Sequence, residues 1–314
     1  MRIIAVNNKD EEIRKRSSSG GVFYLLAESV IKDGGVVFGA KFDQSFDVVH
    51  GYAENMEDVR AFMGSKYVQS AVGSAYRDAK DFLEAGRKVL FSGTPCQIAA
   101  LKKYLGKDYP NLIAADFICH GVPSRRVFRE YLGEISKGRE ITSVNFRDKT
   151  EGWRVFSLAV SFADGSTYRK NLEEDVFVSG FLKNLYLRPS CYSCGYRGFD
   201  RPADVTLADF WGVQNIMPEI YDDKGTSIVI IRNAAIEKVF EDNKDSLVIR
   251  ELSEDTVRKT NVAVEKSCSA NPRRAEFFES EYKSVSKAIY RIVKEPLKIR
   301  VKKKLYKLIK GVKK

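Results

Sequence analysis

The sequence predicts an α/β fold: a mixed sheet with flanking helices, plus an antiparallel hairpin insertion and a basic C-terminal helix. Three observations predict it. Short apolar runs alternate with helical stretches through the first two-thirds of the chain, with glycine or proline at most junctions. From Ile141 to Leu172 apolar and polar residues alternate around Asp164-Gly165, the pattern of a hairpin. From Leu297 through Ile299, Val301, Leu305, Leu308, Ile309 and Val312, an apolar stripe runs amid lysines. Residues 1–285 therefore read as one body and 286–314 as a basic amphipathic tail.

The elements follow in order. Arg2 to Val6 is a short apolar strand. Ser19-Gly20-Gly21 opens a helix that runs to Lys32 and is stopped by Gly34-Gly35. Val36–Ala40 and Val48–Ala53 are the next strands. Helices follow near 56–63 and 72–85, the second closed by Gly86. Lys88–Phe91 is a buried strand running into Gly93-Thr94-Pro95 and a helix from Pro95 to Tyr104. Leu112–Ile118 is another strand, followed at once by Cys119-His120-Gly121 and a helix from Pro123 to Ile135. Beyond the hairpin, a helix near 175–187 leads to Cys191-Tyr192-Ser193-Cys194. Asp204–Trp211 is a strand, and Thr226–Ile231 and Leu247–Leu252 flank a helix over 234–241.

Composition narrows the function classes. Five cysteines, an odd number without regular spacing, argue against a secreted disulfide scaffold and make the cytoplasm the expected location. The net charge is +11, but residues 298–314 hold nine of the 53 basic residues and no acid; without them 44 basic residues face 42 acidic ones. A nearly balanced body argues against a broad nucleic-acid surface. The tail is of the kind that lies on an anionic membrane surface, which adds attachment to the inner face of the membrane as an expectation; it reads equally as a solvated terminus.

Four cysteines sit where a metal cluster would want them. Cys96 falls in the first turn of a helix directly after a strand, and Cys119 takes the equivalent place after the next strand. Two successive strand ends bring both sulfurs to one edge of the sheet. Cys191 and Cys194 supply two thiols from one polar turn. Zinc, an iron–sulfur cluster or a redox dithiol can each use such a pair. Zinc sites usually draw on a second knuckle or a Cys–His set, and only His50 and His120 are on offer. Cys268 lies in a serine-flanked stretch and reads as unrelated to the other four. Ser17-Ser18-Ser19-Gly20-Gly21 at a helix start offers backbone N–H groups and hydroxyls to a phosphate, or serves simply as a cap. Asp209-Phe210-Trp211-Gly212 ends a strand with aromatics suited either to the core or to a wall against a planar ring.

Taken together, Ser19-Gly20-Gly21, Gly64-Ser65-Lys66-Tyr67-Val68-Gln69-Ser70, Phe91-Ser92-Gly93-Thr94-Pro95-Cys96-Gln97-Ile98 and Asp116-Phe117-Ile118-Cys119-His120-Gly121-Val122-Pro123-Ser124 form a recognisable series. Phe146-Arg147-Asp148-Lys149, Gly152-Trp153, Cys191-x-x-Cys194, Asp209-Phe210-Trp211-Gly212 and Asp223-Lys224-Gly225-Thr226-Ser227 continue it. Over roughly residues 15–280 the chain resembles the beta-subunit family of coenzyme F-420 hydrogenase and dehydrogenase. The resemblance implies a flavin-dependent oxidoreductase, over residues 1–285, that passes electrons between FAD and one 4Fe-4S cluster and acts on a small molecule, deazaflavin-like or other. It makes Cys96, Cys119, Cys191 and Cys194 the cluster ligands. It lines the flavin with Ser19, Gly20, Gly21, Gly64, Ser65, Lys66, Tyr67, Gln69, Ser70, Thr94, Pro95, Gln97, His120 and Gly121. Lys66 and His120, in motifs facing the flavin, are the candidate proton donors. Many relatives carry an N-terminal ferredoxin-like segment with eight cysteines; this chain has no cysteine before Cys96, so a separate ferredoxin-like partner is expected. The competing expectation is a zinc-stabilised, catalytically inactive module attached to a membrane or assembly through its tail.

Overall fold

The computed structural model describes residues 1–294; the apolar stripe from Leu297 to Val312, and with it the expected basic C-terminal helix, lies outside the described residues. The strands are β1 (Arg2–Asn8), β2 (Val36–Phe42), β3 (Val48–Ala53), β4 (Val89–Ser92), β5 (Leu112–Phe117), β6 (Ile141–Asp148), β7 (Ser157–Phe162), β8 (Thr167–Asn171), β9 (Val205–Asp209), β10 (Ser227–Ile231) and β11 (Leu247–Glu251). Eight of them form one mixed sheet in the order β11-β1-β10-β9-β5-β4-β2-β3. Within it β2, β4, β5 and β9 run parallel, whereas β1, β10 and β11 pair antiparallel on one side and β3 closes the other edge.

The helices are α1 (Glu11–Arg16), α2 (Val22–Lys32), α3 (Met56–Val59), α4 (Ala75–Glu84), α5 (Pro95–Leu105), α6 (Arg125–Ser136), α7 (Val176–Leu182), α8 (Val213–Ile216), α9 (Ala234–Asp242), α10 (Glu254–Thr260), α11 (Arg274–Glu279) and α12 (Val285–Val293). Alternation along the strands sends side chains to two layers. Val37, Leu90, Ile113 and Val229 pack under α2 and α9, through Leu25, Leu26, Val30, Ile236 and Phe240. Phe38, Val89, Phe91 and Ala114 face the other way, against Ala79 and Leu83 of α4 and Ile98 and Leu101 of α5. Both faces of the central strands are therefore buried, which accounts for their continuous apolar runs.

The hairpin expected around Asp164-Gly165 joins β7 to β8, and β6 adds a third strand to make a separate antiparallel sheet. That sheet shares a core with α6, α7, α11 and α12. Val285, Ala288, Ile289, Ile292 and Val293 of α12 are buried in this core, so the packed body runs past residue 285 to Val293. The helix expected over 175–187 stops at Leu182, because Asn184 takes a left-handed conformation (φ 58°) and Leu187 bridges to Pro123. The helix expected over 56–63 is α3 followed by a single 3₁₀ turn, Arg60–Phe62. Among the described residues no helix is long and apolar enough to cross a membrane.

Candidate functional site

The C-terminal ends of the parallel strands open into a cavity of about 860 Å³. This is the edge where open α/β sheets bind ligands, and the volume is at the upper end for small-molecule sites. Four stretches wall it. The first is the turn between α1 and α2. Gly21 caps α2 in the left-handed region (φ 89°) with no side chain on the helix N–H groups, and Ser17, Ser18, Ser19, Val22 and Phe23 line the cavity beside it. Gly20 is the exception to the expected lining set. A Cβ there would lie 2.2 Å from the Val6 carbonyl oxygen and 2.8 Å from the Ser227 nitrogen, so its role is to press the turn against β1 and β10. The Gly20 N–H donates to Ser227 Oγ at 2.9 Å.

The second stretch is Gly64 to Ser70. Its Ser65 hydroxyl meets that of Ser18 at 2.8 Å, tying it to the first. Lys66 donates to the carbonyls of Ala61 (2.8 Å) and Met63 (2.9 Å), and burial pulls its pKa down to about 7. The third stretch is the turn into α5. Here Gln97 Oε1 accepts from the Thr94 N–H (2.9 Å) and hydroxyl (3.0 Å), while its Nε2 donates to Ser70 Oγ (2.9 Å). Two sets of hydrogen bonds, Ser18 with Ser65 and Ser70 with Gln97 and Thr94, thus tie the second stretch to each of the other two expected to line a flavin. Thr94 Oγ1 lies 3.1 Å from Cys96 Sγ, which extends the second set to the first thiol.

The fourth wall carries the other thiols. Cys119, His120 and Gly121 follow β5, and Cys191 and Cys194 come from the loop after α7; all five face the same cavity as Cys96. Among the described residues, no group of three or more His, Cys, Asp or Glu side chains is arranged to hold a bare metal ion. The thiols nonetheless sense one another. Burial, then the neighbouring Cys191, pushes Cys119 up to about 12, and burial with Cys96 and Cys194 nearby raises Cys191. Two buried thiols whose protons are held by burial suit a metal cluster, whose binding drives those protons off. The donor set and its common wall therefore fit an iron–sulfur group.

His120 Nε2 pairs with Asn184 Oδ1 at 2.6 Å, and its ring stands edge-on to Phe181 at 5.1 Å; burial lowers its pKa. The imidazole is thereby neutral and oriented. Trp211 lines the cavity and stacks on the buried Trp153 at 4.8 Å, nearly parallel (6°). Asp209 holds this wall. It accepts from Arg147 (2.8 and 3.2 Å) and from Trp153 Nε1 (3.2 Å), while Arg147 also donates to the Ser18 carbonyl (2.9 Å) and the Tyr67 hydroxyl (3.1 Å). Lys149 bonds the carbonyls of Arg14 (2.7 Å), Ser19 (3.2 Å) and Lys224 (2.8 Å). Both Phe146-Arg147-Asp148-Lys149 and Asp209-Phe210-Trp211 thus brace the serine turn.

Sequence reasoning missed three features. Cys268 packs on the thiol loop, its sulfur 3.9 Å from the Cys191 carbonyl, and Ser267 Oγ accepts from the Cys194 N–H at 3.1 Å. Arg197 lines the cavity and donates to the Cys119 carbonyl at 2.6 Å. The exposed Phe117, Leu182, Tyr196 and Val262 also line the cavity. Only the proximity of Arg197 to Cys194 along the chain could have signalled it.

Fold and site define an α/β protein with a thiol-walled cavity at its parallel strand ends. A profile of the family described as the C terminus of the coenzyme F420 hydrogenase/dehydrogenase beta subunit matches residues 86–256, more than half of the chain, and the chain belongs to that family. It is thus a beta-subunit-like redox protein. No curated protein matches it significantly. Among solved structures, a chain of the F420-reducing [NiFe] hydrogenase complex from Methanosarcina barkeri, determined after xenon derivatization, shares the fold with a TM-score of 0.56 at 17% identity. The alignment covers 85% of this chain and 89% of that one.

Proposed function

We propose that this protein is a flavin-dependent iron–sulfur oxidoreductase, with FAD in the cavity and one 4Fe-4S cluster on Cys96, Cys119, Cys191 and Cys194. The observation that carries the reading is the two hydrogen-bonded links, Ser18 to Ser65 and Ser70 through Gln97 and Thr94 to Cys96, that join three motifs on the wall of a cavity that also holds the other three thiols. Bound there, the cluster would exchange single electrons and the flavin a hydride with a small-molecule substrate, deazaflavin-like or other.

The residues of the chain supply position and electrostatics. The uncapped start of α2 and the serine turn receive phosphate oxygens, because free N–H groups and the helix dipole favour an anion. Trp211, backed by Trp153, offers a flat face to a ring system. Lys66 donates two N–H groups to backbone carbonyls, closing its own loop, and faces the cavity with a pKa near neutrality, suited to giving or taking a proton. His120, held by Asn184 with its pKa lowered by burial, is the second candidate for carrying a proton. Electrons arrive from or leave to a separate ferredoxin-like protein, and the basic tail attaches the protein to an anionic surface.

The test is an absorption spectrum of protein purified without oxygen, with iron, sulfide, zinc and flavin assayed on the same sample. Flavin with about four irons per chain supports the reading. Colourless protein that resists reconstitution, or zinc without flavin, overturns it in favour of the zinc-stabilised module.

A further inference from the structure

The fold buries three guanidinium groups, and each has a carboxylate: Arg14 pairs with Asp222, Arg147 with Asp209 and Arg201 with Asp116. Arg197, half-buried on the cavity wall, differs. Its Nη1 donates to the carbonyls of Cys119 and Ala263, both at 2.6 Å, and its Nε is buried with no hydrogen-bond acceptor. Among the described residues no carboxylate pairs with it. Two carbonyls are dipoles, and they do not neutralise a full charge that the fold has partly withdrawn from water on the cavity wall. An unbalanced cation on a cavity wall marks the place of an anion. Arg197 holds the Cys119 backbone and lines the same cavity as the four thiols, and its charge also reaches Cys268, the residue packed on the Cys191–Cys194 loop.

We propose that Arg197 is the counter-ion of the four-cysteine centre and sets its reduction potential. This rests on the cluster reading given above. A four-iron cluster on four thiolates is an anion, and one-electron reduction adds one further negative charge. A fixed cation beside Cys119 therefore stabilises the reduced form more than the oxidised one and raises the potential. Arg197 is in this sense a positioning and tuning residue: it fixes the Cys119 backbone with its hydrogen bonds and the cluster's charge balance with its guanidinium.

The experiment compares the wild-type chain with Arg197→Lys and Arg197→Gln. Iron and sulfide are assayed first, and the one-electron reduction of the cluster is then followed by electron paramagnetic resonance in a redox titration. At a fixed potential, the reduced-to-oxidised ratio in the Gln variant is expected to fall about tenfold, equivalent to about 59 mV for one electron. The Lys variant, which keeps the charge, should stay within about threefold of wild type by the same relation. A loaded Gln variant with unchanged potential overturns the inference and leaves the cluster reading intact. Wild-type protein that takes up no cluster overturns both.

Should the Gln variant fail to hold iron, the thermal stability of the metal-free chains decides. The Lys and Gln variants each give up the guanidinium's paired bonds to the Cys119 and Ala263 carbonyls but differ in charge. A metal-free Gln variant at least as stable as the metal-free Lys variant therefore marks a cation waiting for its anion, whereas a Gln variant clearly less stable than Lys shows a charge already compensated without the cluster and overturns the inference.

Discussion

Arg147→Met is the substitution whose cost the structure defines best. The guanidinium is 2% exposed and makes two bonds to Asp209, one to the Ser18 carbonyl and one to the Tyr67 hydroxyl, while stacking over Phe156 at 4.3 Å. Methionine replaces the aliphatic stem against Phe156 but none of the donors. The Asp209 carboxylate, 17% exposed, is left with the Trp153 indole N–H as its remaining side-chain donor. Removing one partner of a buried pair costs about 3–5 kcal/mol, because the other charge stays buried. At about 2–4 °C per kcal/mol for chains somewhat shorter than this one, the unfolding midpoint should fall on the order of 6–20 °C. The chain has two tryptophans, and they stack on each other beside Asp209, so fluorescence reports on this network directly. Adding Asp209→Asn to Arg147→Met removes the stranded charge and should recover about half of the loss or more. A loss below about 1 kcal/mol, or a double variant as unstable as the single one, would refute the claim that the ion pair holds this wall.

Three further outcomes are expected. Gly20→Ala should destabilise the chain by about 2 kcal/mol or more, since the new methyl meets backbone on two strands rather than a movable side chain; Ser227→Ala, which removes one hydrogen bond to the same residue, should cost about 1 kcal/mol in the same denaturant titration. Burial holds Lys66 and Lys149 near 7 against the ordinary lysine value of 10.5, so between those values the unfolded chain binds more protons than the folded one. Stability should therefore rise with pH across that window, and Lys149→Met should flatten part of the rise; a flat wild-type profile from about pH 7 to 10 would count against it. Asp175, fully buried, accepts from Tyr131 (2.5 Å), Tyr168 (3.0 Å) and the Val178 N–H that starts α7. Tyr131→Phe should cost about 1–3 kcal/mol by unfolding calorimetry, and Asp175→Asn more.

The sequence made the large sheet legible because its central strands are buried on both faces, leaving short apolar runs bounded by glycine and proline, as at Lys88–Phe91 and Leu112–Ile118. Cys96 and Cys119 could be placed at one edge because β4 and β5 are parallel neighbours, in register from Val89 with Leu112. Helix α1 escaped notice because six polar-rich residues show no apolar period, although Asp10 caps it and its charges follow the helix dipole. The role of Gly20 was hidden for a different reason. A close approach to Val6 and Ser227 depends on a strand more than 200 residues away. Cys268 was missed on the same ground, and so was the contact of Arg197 with Cys119: each meets the backbone of a cysteine distant in sequence, although Arg197 does lie near Cys194 along the chain.

Strand β1 lies between β10 and β11, and both of these neighbours are encoded beyond residue 226. During synthesis the first strand therefore emerges without either partner and must wait for nearly three-quarters of the chain before it can pair. The Ser17–Gly21 turn shares that delay, because Gly20 is held by Ser227 at the start of β10. A nascent chain can complete the α4–β4–α5–β5 layer while still tethered to the ribosome, but not the serine turn beside it. Any molecule that needs this turn can enter only after β10 has emerged and paired with β1, which ties occupancy of the site to that long-range pairing.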